Sequence, residues 1–235
     1  MRKSLILLCA ILLLGFALRA QSDIFESSEN SPYFGARLSL DISCPTNISG
    51  PDVVHGVHTS IKAFNNAAGF EIGGIYNIPL WKNLYFEPGL SLYYNTMKFH
   101  DGFLAGVEDI HGVEKVGGSV RRFGFRMPLV AGYRCDFEPV AISVFTGPVI
   151  SLGLFGRTHI EGEGQGITVS RNSNCFADDG ICRRTDIGWR FGVGGTWGNY
   201  VLQVYGTVGA CNMFKNGGNL KYHDNNVAIA LGYNF

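Results

Sequence analysis

Histidine and cysteine are the side chains best suited to metal, nucleophilic or redox chemistry, and this chain holds six of each. His55 and His58, with Asp52 nearby, have the spacing of two zinc ligands, but no further pair completes a ligand set. No metal and no cofactor is therefore expected, and zinc titration against a His55→Ala, His58→Ala control checks this. His58, Ser60 and Glu71 are the residue types of an acyl hydrolase, but a triad is defined by geometry that loop spacing does not supply. No catalytic residue is assigned. A lipid-A-acting hydrolase is kept as an alternative, tested by release of acyl chains from lipopolysaccharide. Cys175 and Cys182, in SRNSNCFADDGICRRT, would close a short ring, and a disulfide is expected there in an oxidising compartment. Cys44 and Cys211 form a second candidate pair, which leaves Cys135 as the remaining thiol of the exported chain.

The elements that must position these residues are strands. Apolar and polar residues alternate with period two in eight segments, roughly 33–42, 69–78, 84–95, 121–133, 139–153, 185–197, 200–210 and 226–235. In the first, Phe34, Ala36, Leu38, Leu40 and Ile42 oppose Arg37, Ser39 and Asp41. In the fourth, Phe123, Phe125, Met127 and Leu129 oppose Arg122, Gly124 and Arg126. One face carries no charge through all eight segments, although 16% of the chain is charged. The other face holds Arg37, Asp41, Glu71, Glu87, Arg122, Arg126, Asp186 and Arg190, four of each sign, among Gly, Ser, Thr, Asn and Tyr.

A soluble barrel would turn the apolar face inward, whereas a membrane barrel turns it to lipid. The polar face is rich in glycine, including Gly35, Gly73, Gly124, Gly188 and Gly232, which suits a narrow lumen filled by a few long side chains. Phe34, Tyr76, Phe86, Tyr133, Trp197, Tyr200, Tyr233 and Phe235 would gather at one rim, as interfacial aromatics do. Long connections (43–68, 96–120, 154–184 and 211–225) alternate with tight ones near IPLWKN, RCDFEP and GN, the asymmetry of surface loops against periplasmic turns. All six histidines (His55, His58, His100, His111, His159, His223) fall in the long connections.

Arg2 and Lys3 precede an apolar run from Leu5 to Leu18, a signal-peptide profile with cleavage expected after Ala20, or alternatively after Ala17. Residues 1–20 are then the signal, 21–32 a polar periplasmic leader, and 33–235 the barrel. Beyond residue 20 no apolar run has the length of a membrane-spanning helix. Lysine plus arginine equals aspartate plus glutamate at 19 each, so charge points to no nucleic-acid partner.

Eight alternating strands ending in VAIALGYNF resemble the small outer-membrane β-barrel proteins, the OmpA/OmpX-like and PorT-like porin group. The resemblance implies that Val227, Ile229, Leu231, Tyr233 and Phe235 form the signal read by the barrel-assembly machinery. It implies no catalytic residue, and it leaves a secretion-assisting role open. GEGQG (162–166) and FGVGG (191–195) are read as loop flexibility and lumen packing, because neither joins a strand to a helix as a phosphate loop does. Arg157, Arg183 and Arg184 are candidate contacts for lipopolysaccharide phosphates.

The expected fold is an all-β, eight-stranded antiparallel up-and-down transmembrane β-barrel in the bacterial outer membrane, with both termini periplasmic. The expected role is structural or surface-binding, through four long loops and a partner not named by the sequence; a small solute channel is the alternative.

Overall fold

The computed structural model describes residues 31–49, 60–62, 64–81, 83–100, 115–137, 139–164, 167–178, 180–215 and 221–235. The expected signal peptide, most of the leader, His55, His58 and His111 lie outside the described residues.

In chain order the strands are β1 Tyr33–Ser43, β2 Ile48–Ser49, β3 Ser60–Ile61, β4 Phe64–Asn65, β5 Ala67–Trp81, β6 Leu84–Phe99, β7 Lys115–Phe137, β8 Val140–Gly164, β9 Ile167–Asn174, β10 Thr185–Trp197, β11 Tyr200–Gly209 and β12 Asn226–Asn234. Eight of them form the wall in the order β1-β5-β6-β7-β8-β10-β11-β12, and β12 returns to β1 with Ser39 opposite Ala230. Every neighbouring pair is antiparallel, so the sheet is a closed up-and-down barrel without a free edge in its wall.

The direction of the side chains answers the inside-or-outside question. Leu40 is 72% exposed while its neighbour Asp41 is 2% exposed, and β1 repeats that alternation at Leu38, Ser39, Ile42 and Ser43. Ile72, Phe125, Ile150, Trp189, Leu202 and Ile229 likewise point out of the barrel. A water-soluble barrel would bury these residues; an uninterrupted apolar belt belongs in hydrocarbon.

The strand count and facing agree with the alternation, but two strands run much further than expected. β7 and β8 continue past residues 121 and 153, and β9 pairs with the extension of β8 within what the pattern leaves as a loop. The reason is physical: beyond the bilayer both faces of a sheet meet water, so the ladder persists without any apolar alternation to mark it. His159 accordingly stands in β8, not in a loop, and Cys135 stands in β7, not in a turn. The tight connections after Trp81 and Phe137 are shorter than expected, and the one at residues 198–199 is as expected. The one after Trp197 turns on Gly198, whose φ of 54° lies in the left-handed region that glycine enters without a Cβ clash.

The ladder also has gaps. Between β6 and β7 pairing skips from Pro88–Leu129 to Ser91–Arg126, and between β7 and β8 from Pro128–Val149 to Ala131–Thr146, the register being unchanged across both. Proline has no N–H to give the ladder, and Pro88 and Pro128 stand at these two gaps.

Candidate functional site

The lumen is built from the inward positions of the eight wall strands, and its centre is Glu71 on β5. Arg126 on β7 donates from Nη1 to Glu71 Oε2 (2.7 Å) and to Asp41 Oδ2 on β1 (3.1 Å). Arg190 on β10 reaches Glu71 Oε2 at 3.2 Å, and Ser91 donates its hydroxyl to Glu71 Oε1 at 2.6 Å. Ser39 donates to Asp41 at 3.2 Å and receives the Tyr205 hydroxyl at 3.0 Å, while the Arg190 guanidinium lies 4.0 Å over the Tyr205 ring. Arg190, Glu71, Arg126, Asp41, Ser39 and Tyr205 thus form a closed circuit across five strands. All six are buried.

Two further groups sit above and below this circuit. Towards one end, Arg37 donates to Asn234 Oδ1 (2.9 Å) and stands 4.0 Å from Glu87, which accepts from Asn77 at 3.3 Å. Glycine makes room for that guanidinium: a Cβ on Gly35 would stand 2.6 Å from Arg37 Nη1, and one on Gly232 would meet the same side chain. Towards the other end, Arg122 donates from Nη2 to Asp224 Oδ2 at 2.5 Å and from Nε to Asn95 at 3.2 Å. Asp186 does not take the place of Asp224; it accepts the backbone N–H of Cys211 at 3.3 Å.

Of the eight charged residues read from the polar face, Asp41, Glu71, Glu87, Arg122, Arg126 and Arg190 are buried, and Arg37 and Asp186 are partly buried. Asp224 was missed because it lies outside any alternating segment. Ser39, Ser91, Tyr93, Asn95 and Tyr205 occupy inward positions that the alternation does indicate, but alternation names no pairs. Nor is the lumen wholly polar: Tyr85, Val130, Phe145, Tyr205, Ala228 and Ala230 pack together within it. Of the hydrolase set, Glu71 is engaged by two arginines and a serine, and His58 lies outside the described residues.

The long connections contribute to a second buried core at one end of the barrel: Ile48, Phe64, Met97, Val120, Cys175, Phe176, Cys182, Met213 and Tyr222. Aromatic rings close it, with Phe64–Tyr222 centroids at 5.3 Å and Phe214–Tyr222 at 4.8 Å. Backbone bonds tie the connection after β9 to the one after β11: Arg183 N–H to Met213 O (2.9 Å) and Lys215 N–H to Ile181 O (3.1 Å). Arg183 and Arg184 also donate to the carbonyls of Phe214 (3.0 Å) and Leu154 (3.3 Å), so both help to hold this cap. Arg122 touches it through Met97 Sδ at 3.9 Å.

Cys175 and Cys182 are both in the cap as free thiols, and the Cys182 amide donates to the Cys175 carbonyl at 2.8 Å. Cys44, Cys135 and Cys211 are also free. Cys44 contacts the Ile42 carbonyl at 3.6 Å.

At the opposite rim Phe34 packs against Tyr76 with tilted rings (4.6 Å), Tyr200 meets Tyr233 edge-on (5.4 Å), and Tyr233 meets Phe235 (5.2 Å). Val227, Ile229 and Leu231 of β12 face outward below them, and Phe235 donates its N–H to the Phe34 carbonyl at 2.8 Å. An apolar belt, a ring of interfacial aromatics and a charged, packed interior decide the architecture. This chain is an eight-stranded transmembrane β-barrel.

No protein-family model and no curated protein matches the chain. Among solved structures it is similar to Neisserial surface protein A at 12% identity and a TM-score of 0.41, covering 86% of this chain and 97% of that one. It is also similar to Ail, the attachment invasion locus protein of Yersinia pestis (11%, 0.35, 88% and 100%). A third is an outer membrane channel from Pseudomonas putida F1 (9%, 0.33, 91% and 100%).

Proposed function

We propose that this protein is a sealed outer-membrane barrel with a structural or surface-binding role, and not an enzyme. The observation that carries the proposal is the grip of Arg126 and Arg190 on Glu71, which crosses the lumen from three strands. A solute path would have to break buried ion pairs, and losing one partner of such a pair costs about 3–5 kcal/mol. The cap packs over Arg122 at one end of the lumen.

The apolar belt suits outer-membrane lipid, and the aromatic rim suits its interface. The β7–β8–β9 sheet extends beyond the belt and exposes Arg171, Asn172, Ser173 and Asn174, a polar surface for an outside partner. The outward residues of β12, with Tyr233 and Phe235, suit recognition by the barrel-assembly machinery. A Phe235→Ser variant is expected to accumulate unfolded in cells while still refolding in detergent.

Heat-modifiable gel mobility of the refolded protein, followed by single-channel recording in planar bilayers, tests the reading. A heat-dependent shift without conductance supports it, and steady discrete conductance overturns it. The second reading, a small channel, is favoured by one feature: a cavity of about 360 Å³ at the aromatic rim, lined by Tyr33, Arg37, Asn77, Tyr85, Glu87 and Gln203. It gives way to a pocket of only about 40 Å³ beside Glu71.

A further inference from the structure

The cap holds two sulfurs whose placement goes beyond packing. Cys175 and Cys182 are each 1% exposed, and the 2.8 Å amide-to-carbonyl bond between them keeps their Cα atoms within roughly 7 Å. That is the spacing a disulfide spans without backbone movement. The Tyr222 hydroxyl lies 3.6 Å from Cys182 Sγ. Cys182 also forms a bridge with Phe214, so the pair sits where the two connections of the cap are joined.

We propose that Cys175 and Cys182 are oxidised to a disulfide that locks the cap over the barrel mouth. This rests on the reading of a sealed barrel. The oxidant is a protein or small-molecule disulfide of the compartment the chain enters. The Cys182 thiolate attacks one donor sulfur and expels the other as a thiolate. Cys175, deprotonated, then attacks Cys182 Sγ and expels the second donor sulfur. The two cysteines lose two protons and two electrons, and the donor leaves as a dithiol. Because both sulfurs are enclosed once the cap has formed, the exchange takes place before closure, and the finished bond resists reductant in the native state.

Both cysteines fall on one tryptic peptide, between Arg171 and Arg183. Protein folded without reductant, unfolded in the presence of an alkylating agent and digested, is expected to yield this peptide unalkylated and lighter by two hydrogen masses than its reduced form. The same result is expected after native protein is incubated with reductant that is removed before unfolding. Recovery of the peptide with both cysteines alkylated, without any reduction, overturns the proposal. In a Cys175→Ser, Cys182→Ser variant, amide exchange at Arg183, Met213 and Lys215 is expected to quicken by tenfold or more; unchanged exchange removes the locking role. Conductance separates the two ideas. A disulfide-bonded barrel that conducts sinks the sealed-barrel reading and leaves the bond standing, and a silent barrel with two free thiols does the reverse.

Discussion

Arg122, in the wall on β7, donates to Asp224, in the last connection, at 2.5 Å, and so joins the charged lumen to the cap. Both side chains are largely enclosed, at 2% and 12% exposure. Asp224→Asn removes the counter-charge and leaves a buried guanidinium. The expected loss is about 3 kcal/mol, read as a lower denaturant midpoint for the heat-modifiable form. Adding Arg122→Met is expected to recover part of that loss, because no uncompensated charge then remains.

Glu71 is expected to be the most sensitive acid of the barrel, since it balances Arg126 and Arg190 together. Glu71→Gln leaves Asp41 alone to balance both arginines. The unfolding midpoint is expected to fall at least as far as in Asp224→Asn, and a double variant with Arg190→Gln is expected to lie above Glu71→Gln.

Gly132 shares the lumen with Tyr85, and a Cβ there would run into the Tyr85 ring. Gly132→Val is therefore expected to cut the yield of refolded barrel on a gel, and Tyr85→Ala in the same chain is expected to restore it. Failure of the second change to help would place the fault in the backbone and not in the shared space.

Leu40→Arg tests the lipid face directly. Arginine on the lipid side of a membrane barrel costs about 2–4 kcal/mol near the midplane, whereas on a water-facing surface it costs almost nothing. Equilibrium unfolding in lipid vesicles distinguishes the two.

His159 lies on the β8 extension between Asn172, at 2.9 Å, and Glu161. The Glu161 hydrogen bond, then that of Asn172, raises its pKa above 6.5. A raised pKa in the folded state means that the contribution to stability is complete below about 6.5 and is lost as pH climbs through the raised value. An NMR titration of the imidazole is expected to show the raised midpoint, and Glu161→Gln is expected to return it towards the ordinary value.

How much was legible in the sequence differs by region. The wall could be read because lipid imposes one rule on every strand: residues such as Leu38 and Leu40 alternate with Ser39 and Asp41, and no charge is tolerated on the lipid side. That rule determined the number of strands and their facing. Tertiary structure alone decided which charges meet. Arg190 and Glu71 are 119 residues apart, Arg122 and Asp224 are 102 apart, and closure of the barrel is what brings them together. The cap and the extension of β7, β8 and β9 were equally hidden. Outside the bilayer a strand can be polar on both faces, and the cap draws single apolar residues from separate connections, so neither leaves a period in the sequence to be read.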